Sequence, residues 1–516
     1  MMRQIHAMSL IWILSVNSIA CAEVHLPTEA KSLSQDQQVL HVLNRLGYGP
    51  TPESVTHVKK IGVAAYIDEQ LSPKKIPESP VLLSYLRTLP TLSMTPEQLV
   101  ERQESFAAAS MADTNMSDVQ QQSSAQLGRK LFAAQVMSEA RSDRLSHAVL
   151  SDRQLEAALT EFWFNHFNVY SRAGINKIMT GVYDREVIRA NALGHFDQLL
   201  LATARSVAMS NYLNNRVSTR AFVSKRGKQF GLNENYAREV MELHTLGVNG
   251  GYTQKDVTEL ARILTGWGYD VSGKHTGNET DLFLFRDGHH DKGDKIFLGQ
   301  EFHNDGVKEG ERALKMLAEH PATARFISAK LAEYFVSDQP SAELVNQMAK
   351  TYSSSHGDIR KVLETMFSSA DFWQAKNQLA KFKTPYQYVV SSIRVSGVKP
   401  TEYWYLADKL EAMNMPLYGY LTPDGYKQVK SAWLSPTAIS ARVDYATAFG
   451  RGVFPLQTAK RTKPSQQQRL ASMPKTEQLH QLLGPILSDR TQQAIQNAPS
   501  SLKAALLLSS PEFMAR

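Results

Sequence analysis

Three stretches of the 516-residue chain concentrate side chains able to do acid–base chemistry. In NENYAREVMELH, residues 233–244, Asn235, Glu239 and Glu242 follow one another at spacings of four and three. A helix there would carry all three on one face, with Arg238 four positions before Glu242. Two carboxyls on such a face can divide the roles of proton donor and ionised base, and a guanidinium beside them keeps one ionised. The same spacing also describes ordinary charge pairs on a solvated helix. The second stretch, LTEFWFNHFNVY at 159–170, is apolar around nearly the whole helical circumference yet holds Glu161, Asn165 and His166. A helix of that kind is buried, and its polar groups need partners. Glu161 and Asn165 face the same way: they are either hydrogen-bond anchors or reach a pocket walled by Phe162, Trp163, Phe164 and Phe167, on which flat ligands would stack. The third, DGHHDKGDKIFLG at 287–299, is a loop able to present His290 and Asp291 to a neighbouring cleft.

The chemistry these residues suit is hydrolysis of a polysaccharide or glycan, which needs only one protonated and one ionised carboxyl. Glu239 and Glu242 are the first candidates for the pair, with Glu234 in reserve and Glu161 or Asp291 as a second carboxylate from another segment. Asn235, Arg238, Asn165, His166, Trp163, His290 and Trp267 are the substrate-binding candidates. Burial beside Trp163 or Trp267 would raise the acid's pKa. This reading requires no cofactor or metal. A second reading places Glu161, Glu239, Glu242 and His166 or His244 around metal ions inside a helical bundle. Against it, the Glu-x-x-His element of such sites is missing, because His244 follows Glu242 by only two. A third is a non-catalytic envelope protein that binds a polymer or helps to export it. No nucleophile elbow, phosphate loop or dinucleotide fingerprint occurs.

The elements that must position these residues are helices. Long helical periods with few breakers run from about 129 to 267, and helices resume over 306–375 and after Pro385. The expected fold is mainly α, a large multi-helical globular body with a small β-hairpin or irregular insertion around 280–300, where the runs LFLF and KIFLG are expected to pair. Residues 101–126, rich in Ser, Gln and Ala, read as a mobile insertion or a weakly packed helix. The helical main domain is expected over 23–456, with a surface loop at 457–475 and C-terminal helices from 476 to 516 packed on it. Residues 1–22 have the charge, apolar core and small-x-small order of a cleavable export signal, with cleavage after Ala22. Cleavage there removes Cys21, the only cysteine. The alternative, acylation at Cys21, conflicts with Ser18 three residues before it. The apolar run is too short for a membrane span. A net charge of +7 favours anionic polymers or envelope surfaces, whereas the dispersed charges and the exported compartment argue against nucleic acid.

The order of these motifs resembles the bacterial family known as domain of unknown function 1800, over roughly residues 41–516. The resemblance rests on HVLNRLGYGPT, FWFNHF, NENYAREVMELHTLGVNGGYTQKDV, ARILTGW, HDKGDKIFLG, HPATARFISAKL, KFKTP, PDGY at 423–426 and SSPEF. It implies an exported bacterial protein and attaches no chemistry. Similar proteins often carry Asp where Asn214 stands, so no role for a carboxylate transfers to that position.

Overall fold

Helix starts in this chain are encoded as capping residues. Reciprocal side-chain and backbone hydrogen bonds open helices at Ser34 with Gln37, Thr51 with Ser54, Ser117 with Gln120, Thr253 with Asp256 and Thr384 with Gln387. Each satisfies two N–H groups that a helix start otherwise leaves unpaired. The computed structural model describes residues 24–111, 117–271, 282–457 and 463–516. The export signal and Cys21 lie outside the described residues.

The fold is mainly α, and the strands among the described residues form three two-stranded ladders. A long helix, α1 (Asp118–Leu150), packs against the helices Pro96–Met111, Asn176–Val182, Pro385–Ser396 and Trp404–Ala412. Of the stretch 101–126, residues 101–111 and 118–126 lie in helices. Next, α2 (Gln154–His166) is buried on nearly every side, as its all-round apolar sequence requires. A ladder of β1 (Phe222–Val223) with β2 (Gln229–Phe230) precedes α3 (Asn235–Glu239), which passes into a π-helical turn over Val240–His244. Then come α4 (Gln254–Ile263), the ladder of β3 (Trp267–Tyr269) with β4 (Phe283–Phe285), and that of β5 (Lys295–Phe297) with β6 (Gln300–Phe302). The LFLF and KIFLG runs therefore do not pair with each other. The first returns to Trp267–Tyr269, and the second folds on itself through Leu298 and Gly299, both at positive φ.

Helices α5 (Val307–Glu319) and α6 (Pro321–Phe335) follow, and α7 (Pro385–Ser396) is buried along its whole length. The C-terminal helices Thr476–Leu483 and Ser500–Leu508 pack on α7 and on Pro436–Gly450 respectively. The stretch 457–475, expected as a loop, includes a short helix at Gln466–Ala471.

Trp267 is 1% exposed and packs against Gly310 of α5, where a β-carbon would come within 2.4–2.9 Å of three indole atoms. Gly310→Ala is expected to cost about 1–3 kcal/mol through this overpacking. Chemical denaturation would show it as a lowered midpoint with an unchanged slope.

Candidate functional site

Glu161 lies in the interior, 4% exposed. Its Oε2 accepts from the hydroxyls of Tyr48 (3.0 Å) and Tyr334 (2.9 Å), and its Oε1 from Gln387 Nε2 (3.3 Å). Burial pushes its pKa above the usual carboxylate range, against the opposing pull of Arg516, Tyr334, Arg144 and Tyr48. Glu161 does line a cavity with Asn165 and Phe164, but that cavity holds about 40 Å³. At ~10–15 Å³ per water it admits a few solvent molecules and no sugar ring. Of the aromatic wall expected there, only Phe164 contributes. Trp163 is fully buried, and its indole N–H donates to Ala192 O at 3.0 Å. Glu161 is therefore a hydrogen-bonded anchor joining four segments, and Trp163 is closed off in the interior.

The two asparagines of this stretch hold a loop. Asn165 Nδ2 donates to Tyr426 O at 2.9 Å, and Tyr426 N donates back to Asn165 Oδ1 at 2.7 Å. Asn168 Nδ2 donates to Tyr420 O and Thr422 O, and Tyr212 adds a hydroxyl bond to Leu421 O at 2.6 Å. Gly425, at φ +68°, sits against Asn165 with no room for a β-carbon. Asn165 thus positions the PDGY loop through one donor and one acceptor bond of its amide to the Tyr426 backbone. Asn165→Ala would leave two backbone groups without partners, each costing about 1–3 kcal/mol where no water replaces the bond. The expected result is faster amide exchange at residues 418–428, with protection of α2 itself unchanged.

The acid face is present but differs in form from a plain helix. After Glu239 the backbone widens into the π turn, so Glu242 is rotated away from the register that an α-helix would give it. Asn235 is tied down through Nδ2 to Leu213 O at 3.2 Å. Arg238 bonds Glu234 (3.2 Å) and Gln254 (2.9 Å), so its close partner is Glu234 and not Glu242. Glu234 also accepts from Thr258 (2.7 Å) and Gln254 (2.8 Å), and these bonds, Thr258 first, hold it below the usual carboxylate range. It is a fixed anion, unsuited to donate a proton.

Glu239 and Glu242 are half-buried, and among the described residues no hydrogen bond or ion pair reaches either carboxyl. Burial raises the Glu239 pKa, and the neighbouring carboxylates of Glu242 and Asp424 raise it further against the pull of Arg238. Asp424, in the PDGY loop, has the opposite balance. Burial pushes its pKa up, but bonds from Thr422 (2.6 Å) and Lys427 (3.3 Å) bring it below the usual range. The phenol of Tyr212, raised by burial, is raised further by Glu239 and Asp424. Lys330 of α6 also feels Asp424, and burial lowers its pKa. Asp424, Tyr212 and Lys330 were not among the sequence candidates. The available signal was the PDGY motif, whose loop folds back onto the acid face from far along the chain.

The third stretch does not join this face. His290 is fully buried: Nδ1 meets Thr265 O at 2.9 Å and Nε2 meets Glu309 Oε1 at 3.1 Å. Asp291 is paired with Arg262 (Nε to Oδ2, 2.9 Å), which together with the Gly293 N–H lowers its pKa against the upward push of burial. His290 and Trp267 fasten the loop and its ladders to α5, Asp291 ties the loop to α4, and both His290 and Trp267 are buried. His166 and His244 are also interior. His166 Nε2 lies 3.0 Å from His244 O, and burial drives the His244 ring to a pKa of about 3, leaving it neutral. Glu161 is engaged with Tyr48, Tyr334 and Gln387, and among the described residues no three His, Cys, Asp or Glu side chains converge as a metal site. The bundle-type metal centre therefore has no counterpart among the described residues. The most voluminous cavity described, about 450 Å³, is lined by apolar residues such as Met179, Val187 and Leu201, with Arg205 at its edge. It contains none of the acid-face residues.

A mainly helical body thus carries a Glu239–Glu242 face that is unpaired among the described residues, with Asp424 of the clamped loop near enough to raise the Glu239 pKa. The chain belongs to the family described as "Protein of unknown function (DUF1800)", which matches residues 41–515. No curated protein and no solved structure matches it. No helix among the described residues is long and apolar enough to cross a membrane.

Proposed function

We propose that the protein is an exported hydrolase of a polysaccharide or glycan, with Glu239 as proton donor and Asp424 as the ionised partner. The observation that carries this reading is the divergence of the two carboxyls. Glu239 is unpaired and pushed up by burial and by Glu242 and Asp424, whereas Asp424 is held down by Thr422 and Lys427. Carboxyl groups whose surroundings separate their pKa values in this way are suited to acid and base roles. Glu242 acts by keeping Glu239 protonated. Glycan hydrolysis is a reaction that two carboxyls can carry without a metal or a separate nucleophile, and Tyr212 and Tyr252 lie close enough to Glu239 to feel its charge. Asp424 replaces Glu161 and Asp291 as the carboxylate from a second segment.

The test is turnover of the folded, mature chain on a glycan panel, alongside Glu239→Gln and Asp424→Asn. A wild type that binds glycans but releases no product from any of them would leave a binding protein and end the hydrolase reading.

A further inference from the structure

Between Ser206 and Asn233 the chain has no acidic residue and five basic ones, Arg216, Arg220, Lys225, Arg226 and Lys228. Arg216 lies just before the β1–β2 hairpin, over the Tyr269 ring, and the hairpin and its base gather the other four. Lys225 and Arg226 occupy its turn, closed by Ser224 N to Lys228 O (2.8 Å) and Gly227 N to Ser224 O (2.9 Å), with Gly227 at φ +75°. All five are exposed, and among the described residues none pairs with a carboxylate. Phe222 and Phe230 stack across the ladder at 4.9 Å, with the cations of Arg220 and Lys228 over their faces. Around this charge lie large apolar side chains open to solvent: Val223 is 63% exposed, and Val217 and Leu232 at the hairpin base are 43% and 37% exposed.

We propose that this hairpin docks the protein on the surface of an anionic lipid bilayer. The unpaired cations meet the phosphate layer, and Val223 enters the boundary between headgroups and acyl chains. Charge alone would suit any polyanion. The exposed Val217, Val223 and Leu232 favour a bilayer, because only there does docking also remove apolar surface from water. The net charge of +7 adds long-range attraction of the same sign. Attachment is peripheral and does not depend on the reaction assigned to Glu239. Since β2 leads directly through residues 231–234 into α3, docking holds the acid face beside the bilayer.

The experiment is flotation of the mature chain with phosphatidylcholine vesicles, with and without about one-third phosphatidylglycerol. Binding is expected only with the anionic lipid and is expected to weaken as salt is raised. Lys225→Glu with Arg226→Glu and Lys228→Glu should lower the partition coefficient at least about a hundredfold, from roughly fivefold per lost cation. Lys225→Arg with Lys228→Arg should retain binding. A Val223→Trp reporter should shift its emission to the blue on anionic vesicles, and Val223→Asp should weaken binding. Thermal melting of each variant establishes that the fold is intact. Equal flotation on neutral vesicles, or a charge-reversed hairpin that binds as wild type, overturns the proposal. So does vesicle binding insensitive to Val223→Asp and abolished by a soluble anionic polysaccharide, which would identify a polymer as the partner.

Discussion

Glu239→Gln is expected to lower turnover of a hydrolysed glycan by about 10²–10⁴-fold, the usual contribution of one positioned proton donor. Substrate affinity should change little, since the amide keeps the shape and the hydrogen-bonding edge. Asp424→Asn should produce a loss of the same order, and Glu242→Gln a smaller one that appears chiefly as a displaced pH profile. The sign follows from the surroundings. An acid works only while protonated, so activity falls as pH rises through the Glu239 value, which lies above the usual 4.5. A base works only while ionised, so activity falls as pH drops through the Asp424 value, which lies below 3.8. Removing the Glu242 charge lowers the Glu239 pKa and moves the alkaline limb toward acid. A pH–rate profile of kcat/KM on wild type and Glu242→Gln measures this directly. An unmoved alkaline limb would show that Glu239 is not the titrating acid.

The parts of this arrangement that were legible in the sequence are local ones. The capping box at Thr253 and Asp256 depends on partners only three residues apart. The all-round apolar stretch at 159–170 implied that Glu161 needs partners in the interior, as hydrogen-bond anchor or in a pocket. It could not name them, since Tyr48, Tyr334 and Gln387 are 113, 173 and 226 residues away. His290 misled for the same reason. As a loop imidazole it looked available, but Glu309, 19 residues on, takes it into the core. The π turn at Val240–His244 has no local signature, because its residues suit an α-helix equally well. Asp424 sits on the loop that Asn165, Asn168 and Tyr212 clamp, contacts that for the two asparagines span about half of the chain.

The core substitution with the largest expected effect is Lys295→Met. Lys295 and Glu309 are both fully buried, with Nζ to Oε2 at 2.7 Å, and Glu309 Oε1 also takes His290 Nε2 and Asp305 N. Taking two charges out of water is costly, so the intact pair contributes little net stability, yet breaking it strands a carboxylate in the interior. Lys295→Met is therefore expected to destabilise by about 3–5 kcal/mol at neutral pH. In Lys295→Met with Glu309→Leu the stranded charge disappears, and the remaining cost should be well below the sum of the single changes. The pH dependence separates charge from packing. In the wild type, burial pushes the Glu309 carboxyl up, but His290 and Lys295 bring it below 4.5. Its contribution to stability is thus complete above the unfolded value and lost as pH falls through the lower folded one. In Lys295→Met the unpaired carboxyl titrates above its unfolded value, so that variant recovers stability as it is protonated. The two denaturation curves should converge below about pH 4.5. A gap that stays constant from neutral to acid pH would mean that Lys295 acts through its aliphatic stem, packed between β5 and α5, and not through its charge.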